Sequence, residues 1–245
     1  MLTMTRKQRE IQQREELILD VASRMLLERG YIGLSMDRIA ESTEYSKGTI
    51  YQHFTCKEDL IAGVLLRSIK ARGELFARAA TFHGRSRERL TAVGVAEQLF
   101  YSVHPDHARI EQITKVESIW DKASPKRREM CHSGDTSCMS VIQGLIRDGI
   151  ASGDLVLPPK CTPEGLMFGL WSMAVGTRTL LVHGVLMDTF ADQDPRQLLD
   201  RNYQAFIDGY NWKPLSSEWD YAQTIERVRE EIFAEDIRKA GTQNA

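Results

Sequence analysis

The sequence has no excess of charge of either sign. Its 32 lysines and arginines stand against 34 aspartates and glutamates, a formal net charge of -2 over 245 residues. No global basic field advertises a nucleic-acid partner, so any such contact must come from a local patch. Long apolar runs are missing as well. No stretch reaches the length of about 18 apolar residues that a membrane span needs. The most apolar segment, Leu166–Met187, is interrupted by Gly169, Ser172, Gly176, Arg178, His183 and Gly184, and reads as a buried or partner-facing helix. Met1 to Glu16 is charged with no apolar core behind it, and does not read as a secretory signal. Cysteine is scarce. Cys56, Cys131, Cys138 and Cys161 match neither a zinc spacing nor a dense disulfide framework. Free thiols in a reducing cytoplasm are the expectation, with a redox switch between Cys131 and Cys138 as the alternative.

Further absences narrow the function classes. Strand-period alternation is sustained nowhere, no repeat recurs at a fixed period, and no low-complexity linker divides the chain. There is no nucleophile–base pair, metal set or phosphate loop, so neither an enzyme nor a cofactor is expected. Asp37 and Asp59 sit better as helix-start charges than as catalytic groups. His104-Pro105-Asp106-His107 lacks an identifiable third ligand, and no metal is expected.

What is present is helical periodicity. Leu17, Ile18, Val21, Ala22, Met25 and Leu26 share one face of a first helix that Gly30 ends as a left-handed cap. Ser35 is placed to cap a short second helix carrying Met36, Ile39 and Ala40, and Ser46 a very short third reaching to about His53. Thr55-Cys56-Lys57-Glu58 has the form of a capping box, with Thr55 as cap and Glu58 reaching back, at the head of a fourth helix. Further helices are expected over Arg87–Val103, Pro105–Lys122, Pro125–Cys131, Asp135–Ser152, Thr162–His183, Pro195–Tyr210 and Glu218–Lys239, with a frayed Gly241–Ala245. The fold class is all-α: a three-helix domain over residues 1–60, a larger helical domain over 61–212, and an extension over 213–245.

Three short helices, the second and third joined by a tight turn, form the helix-turn-helix arrangement, in which the third helix lies in the DNA major groove. In Lys47-Gly48-Thr49-Ile50-Tyr51-Gln52-His53, Ile50 and the following Phe54 face the core. Lys47, Thr49, Tyr51, Gln52 and His53 are left for solvent or DNA. Gly48 weakens the helix by up to about 1 kcal/mol, which makes sense if a base or phosphate must approach closely there. Arg6, Lys7 and Arg9 suit a flexible basic arm. The arginine-rich residues 67–89 read as a solvated face or an auxiliary contact with DNA or another acidic surface.

Leu34-Ser35-Met36-Asp37-Arg38-Ile39-Ala40, then Ser46 through Phe54, then Lys57-Glu58-Asp59-Leu60, strongly resembles the signature of the TetR/AcrR family of transcriptional regulators. The resemblance implies that Ser35, Tyr51, His53 and Lys57 hold phosphates, while Lys47, Gly48, Thr49 and Gln52 approach bases or backbone in the groove. The chain departs from the family in the turn, where Thr43-Glu44-Tyr45 replaces the common Ala-Gly-Val. Glu44 would set a negative charge near DNA, and Tyr45 would add a contact. The resemblance further implies a ligand cavity in the larger domain and a homodimer built by two C-terminal helices. Candidate ligand contacts are Phe100, His104, Trp120, Met139, Trp171 and Met173. Candidate interface residues are Leu166, Gly169, Leu170, Met173 and Leu180. The expected function is that of a cytoplasmic repressor, released from a near-palindromic double-stranded DNA operator by a small-molecule inducer, with no membrane partner. The rival readings are a non-regulatory DNA-binding protein on the same fold and a helical-bundle enzyme or carrier.

Overall fold

The computed structural model describes residues 4–115, 117–183 and 192–243, and every regular element among them is a helix. In chain order these are α1 (Arg6–Gly33), α2 (Met36–Thr43), α3 (Lys47–His53), α4 (Lys57–Ala79), α5 (Ser86–Val103), α6 (Pro105–Ile113), α7 (Glu117–Lys122), α8 (Pro125–Ser152), α9 (Pro163–His183), α10 (Pro195–Gly209), α11 (Tyr221–Glu231) and α12 (Ala234–Gln243). None of these helices is long and apolar enough to cross a membrane, among the described residues. The chain divides into two compact units. One comprises Met1–Lys70 and Pro105–Asp135, the other Ala71–His104 and Thr136–Ala245.

The first unit is built on α1. Ile18, Ala22 and Leu26 recur every fourth residue, so one stripe of the helix is buried without exposure. Ile39 of α2, Ile50 of α3, the following Phe54, and Leu60 and Ile61 of α4 meet that stripe, and Ile110 and Ile119 complete the cluster. Each such side chain contributes on the order of 1.5–3 kcal/mol by leaving water.

The N-terminal basic residues form no loose arm. Thr5 and Gln8 make a reciprocal capping box, and Arg6 pairs with Glu10 at 2.9 Å, so α1 begins at Arg6. Gly30 kinks the helix but does not end it as the expected left-handed cap, since α1 continues to Gly33. The Gly30 φ of 64° and ψ of -172° lie where essentially only glycine is found.

At the head of α4 the box differs from the sequence expectation. The Thr55 amide donates to Asp59 Oδ2 at 3.2 Å, while Glu58 accepts from the Tyr31 hydroxyl at 2.6 Å. Asp59 also takes the Ser124 amide and hydroxyl through Oδ1. It is the residue one position later that ties the turn.

Three helix boundaries also differ. The stretch Pro105–Lys122 is two helices, α6 ending at Ile113 and α7 beginning at Glu117, with the Thr114 hydroxyl turned back onto the Ile110 and Glu111 carbonyls just past the end of α6. Pro125–Ser152 is one helix, with no break between Cys131 and Asp135. Cys131 and Cys138 are therefore two turns apart along it, about 10 Å by helical rise and beyond disulfide reach. Burial also pushes the Cys131 thiol up to about 11, which disfavours a reactive thiolate. The expected Glu218–Lys239 helix is broken between α11 and α12, where Phe233 is fully buried in the core. The chain stays helical through Gln243, so Gly241–Gln243 is not frayed. Asn244 and Ala245, like Gly184–Met187 at the end of the apolar run, lie outside the described residues.

The second unit gathers Phe76, Phe82, Val93, Phe100, Ile146, Leu166 and Trp212 into its core, with Val228 and Phe233 from the last two helices. The Gly149 position accommodates Trp212. A Cβ there would lie 2.8 Å from the indole.

Candidate nucleic-acid interface and ligand cavity

The helix-turn-helix is set by local hydrogen bonding. The Ser35 side chain accepts from the Arg38 amide at 3.3 Å and caps α2. Ser46 accepts from the Thr49 amide at 3.1 Å and caps α3. Between them the chain reverses through a Schellman motif, with the Tyr45 amide bonded to the Ala40 carbonyl and the Glu44 amide to Glu41. That motif needs a left-handed residue, and Glu44 supplies it with φ 57° and ψ 23°. The atypical turn keeps the usual geometry without its glycine. Tyr45 is half-buried and packs on the core of the first unit.

With Ile50 and Phe54 fully buried, the rest of α3 has a fixed outward face. Lys47, Gly48, Tyr51 and Gln52 are exposed, Tyr51 by 50%. Lys47 pairs with Asp37 at 2.8 Å, and this hydrogen bond and charge hold its ammonium above the ordinary value. A Cβ on Gly48 would meet only Ser46 Oγ, at 3.7 Å, among the described residues, and none of these requires glycine there. Thr49 is half-buried, its hydroxyl 2.9 Å from that of Ser46.

The remaining predicted contacts are less open. The His53 side chain is only 8% exposed, with Nδ1 3.7 Å from Glu15. Glu15 in turn receives Arg127 at 2.5 Å, and the Arg127 guanidinium covers the Phe54 ring at 4.9 Å. The Lys57 ammonium lies 3.9 Å over the Tyr31 ring. Burial lowers its pKa; Glu58 opposes that shift and Lys122 adds to it.

The second unit contains a cavity of about 80 Å³ that is partly open to solvent. Phe76, Leu90, Val93, Met139, Ile142 and Leu170 form apolar walls. Glu97, Arg178, Asp200 and Tyr203 bring polar groups to it. Arg178 pairs with Glu97 at 3.3 Å and donates to the Tyr101 hydroxyl and the Ala174 carbonyl. Asp200 accepts from Gln98 at 2.5 Å. Burial raises its carboxyl above the ordinary value against the pull of Gln98 and Arg229. Burial, and then the Glu97 charge, raise the Tyr203 phenol in the same way.

Of the expected ligand contacts, Met139 and Trp171 line this cavity. Phe100 is fully buried in the core with its ring edge-on to Tyr101. His104 closes α5 with its ring 5.8 Å from that of Phe100. Met173 is half-buried against the same core. Trp120 belongs to the first unit and packs on the small cluster containing Leu66 and Ile69. Among the described residues no group of three His, Cys, Asp or Glu side chains is arranged to hold a metal.

Comparison with known proteins reaches the same N-terminal segment. The profile of the family described as bacterial regulatory proteins, tetR family, matches residues 18–64, from the α1 core stripe through the first turns of α4. Residues 18–64 belong to the TetR family of bacterial regulatory proteins. Over 158 residues the chain is 28% identical to the uncharacterized HTH-type transcriptional regulator YhgD of Bacillus subtilis, covering 62% of this chain and 75% of that one. Over 57 residues it is 39% identical to the HTH-type transcriptional activator FasR of Mycolicibacterium smegmatis, 23% of this chain and 26% of that one. Its fold is similar to that of a tetR-family regulatory protein from Rhodococcus RHA1, with TM-score 0.59 and 20% identity over 81% of this chain and 97% of the other. It is also similar to the fold of the regulator FadR from Bacillus subtilis in complex with stearoyl-CoA, with TM-score 0.57 and 18% identity over 79% and 98%.

In the second unit, α9 and α10 pack on each other. Leu166 and Leu170 are buried in the second unit's own core, and a Cβ on Gly169 would strike the Phe206 ring at 2.2 Å. The close approach that Gly169 permits is therefore to α10 of the same chain. Among the described side chains, the large apolar residues of α9 that face outward are Phe168, Trp171, Leu180 and Leu181. Only Leu180 of these was singled out as an interface residue.

Part of the arginine-rich stretch is engaged within the chain, while Lys70, Arg78 and Arg85 are exposed, as a solvated face would have them. Arg67 pairs with Glu16 and Asp20, Arg78 with Asp236, and Arg89 with Asp148. Arg87 is fully buried and donates to the carbonyls of Gln204, Trp212 and Pro214. The polar residues of the cavity also escaped the sequence reading. Their signal was there: Glu97 follows Val93-Gly94-Val95-Ala96, and Arg178 interrupts the most apolar run. Such charges are almost never fully buried unless paired.

Proposed function

We propose that this TetR-family regulator is a homodimeric repressor, which occupies a near-palindromic DNA operator and is released by a small molecule bound in the second unit. The observation that carries the DNA half is the exposed face of α3. Lys47, Gly48, Tyr51 and Gln52 stand on a helix immobilised by buried Ile50 and Phe54. Tyr51, His53 and Lys57 serve phosphates, with Ser35 at the head of α2, while Lys47, Gly48, Thr49 and Gln52 enter the groove. Glu15 and Arg127 hold His53 and Phe54 in place from behind. Tyr45 serves chiefly to secure the turn. The protein acts in the cytoplasm.

Two copies present two such helices to half-sites one DNA turn apart. Phe168, Trp171, Leu180 and Leu181 supply the apolar area for pairing. The cavity supports the ligand half. A ligand that binds one shape of the second unit better than another shifts the population between them. The helix α4, whose residues belong partly to each unit, carries that shift to the recognition helices.

The test selects binding sites from random duplex DNA, then measures affinity for the selected operator with and without bound ligand. An enriched inverted repeat whose affinity falls at saturating ligand is the expected result. Enrichment of no symmetric site, or unchanged affinity for every tightly bound ligand, overturns it.

A further inference from the structure

The chemistry of the cavity narrows its ligand, on the reading that this cavity is the regulatory site. Its cations are already engaged. Arg178 is bonded to Glu97, to the Tyr101 hydroxyl and to the Ala174 carbonyl. Arg72, the other lining cation, has an interaction of its own. Arg178, with these partners, does not offer the open fork that a carboxylate or phosphate ligand would require. The open valence is an acceptor. Glu97 Oε2 is buried and has no hydrogen-bond donor among the described residues. A dry carboxylate oxygen without a donor is costly, and a ligand that supplies one recovers that cost. Asp200 adds a second carboxylate to the lining, with Gln98 bonded to one of its oxygens.

The remaining walls set the body of the ligand. Phe76, Leu90, Val93, Met139, Ile142 and Leu170 accept only apolar surface. A volume of about 80 Å³ is room for roughly five to eight water-sized groups. That suits a compact molecule and is small for a long acyl chain.

We propose that the cavity binds a compact aliphatic amine, its ammonium donating to Glu97 Oε2 beside Asp200 and its hydrocarbon body lying between α5, α8 and α9. No bond is made or broken.

The experiment uses the full chain and three probes of nearly equal shape: isopentylamine, isopentanol and isopentanoate. Binding is read by calorimetry and by the fluorescence of Trp171, which lines the cavity. The amine should bind roughly tenfold or more tighter than the alcohol and the carboxylate, the ratio expected of one charged hydrogen bond. Glu97→Gln should abolish that preference while a cooperative thermal transition is retained. Asp200→Asn, which should reduce the preference, is the second variant and decides the matter if Glu97→Gln does not fold.

Equal or tighter binding of isopentanoate overturns the proposal. So does tighter binding of stearoyl-CoA, a preference that survives both substitutions, or failure of all three probes to bind. An amine that binds with the expected pattern but leaves operator affinity unchanged overturns the ligand-release reading and leaves this site assignment standing.

Discussion

The Arg87 guanidinium donates to the Trp212 carbonyl oxygen at 2.5 Å, joining residues 125 positions apart. The same fork reaches Pro214 at 2.8 Å and the Gln204 side chain at 2.9 Å, pairs with Asp208 at 2.7 Å, and lies 4.6 Å over the Tyr221 ring. Burial opposes the charge on Asp208. The Ser216 hydroxyl and amide, with Arg87, outweigh it and hold the carboxyl below the ordinary value. One side chain thereby fixes the end of α10 and the turn after it.

Arg87→Ala should destabilise the protein by about 3 kcal/mol or more, because it leaves buried carbonyls and Asp208 without their donor. Lysine should not rescue it, since an ammonium cannot reproduce the planar fork. In thermal unfolding the loss corresponds to about 6–12 °C for a chain of this size. A transition within 2 °C of the parent, roughly 1 kcal/mol or less, would show the clamp to be idle.

Glu44→Gly should raise stability by about 1 kcal/mol, since a side chain in the left-handed region carries a steric penalty that glycine lacks. Glu44→Gln separates this from charge. It should leave the strain in place and give no comparable gain. Equal stabilisation by both variants would assign the effect to charge instead.

Gly48→Ala should divide stability from function. The added methyl meets only Ser46 Oγ at 3.7 Å, so the folded protein should gain up to about 1 kcal/mol in helix propensity. Operator affinity should fall, because the methyl occupies the surface offered to DNA. Unchanged affinity with raised stability would remove Gly48 from the interface.

Lys57→Ala should weaken binding to all duplex sequences alike and reduce the salt slope by about 0.9 for each phosphate that the ammonium had neutralised. An unchanged slope would mean that Lys57 serves Tyr31 and not DNA.

Asp236 provides a pH test. Its hydrogen bond from Arg78 holds the carboxyl below its ordinary value. A depressed folded value means stabilisation that is complete above the unfolded value of about 3.9 and lost as pH falls through the folded one. Asp236→Asn should therefore lower stability at neutral pH and flatten the loss below about pH 4. A parallel acid profile in the variant would place the acid sensitivity elsewhere.

The helix-turn-helix was legible because its signals are local. Ser35 and Ser46 cap the helices that follow them, and Ile50 and Phe54 lie on one face. The glycine of the family turn was seen to be missing, yet only the backbone shows that Glu44 adopts the glycine conformation unaided. The cavity was less legible because its walls come from helices far apart in sequence. Met139 and Trp171 are on it, while Trp120, with the same composition signal, lies in the other unit. Arg87 was opaque for a related reason. An arginine among arginines reads as solvated until its acceptors, more than a hundred residues later, are brought to it.

The Ile110 and Ile119 side chains close the core that the first helices begin. This has a consequence for synthesis. The DNA-reading unit is not contiguous in the chain, so its core remains open while residues 71–104 are being added. It closes only when the α6–α7 segment has left the ribosome. Contacts that must wait for distant residues slow folding and expose apolar surface meanwhile. A fragment ending near Lys70 would carry every residue assigned to DNA and still lack the two isoleucines on which those residues stand.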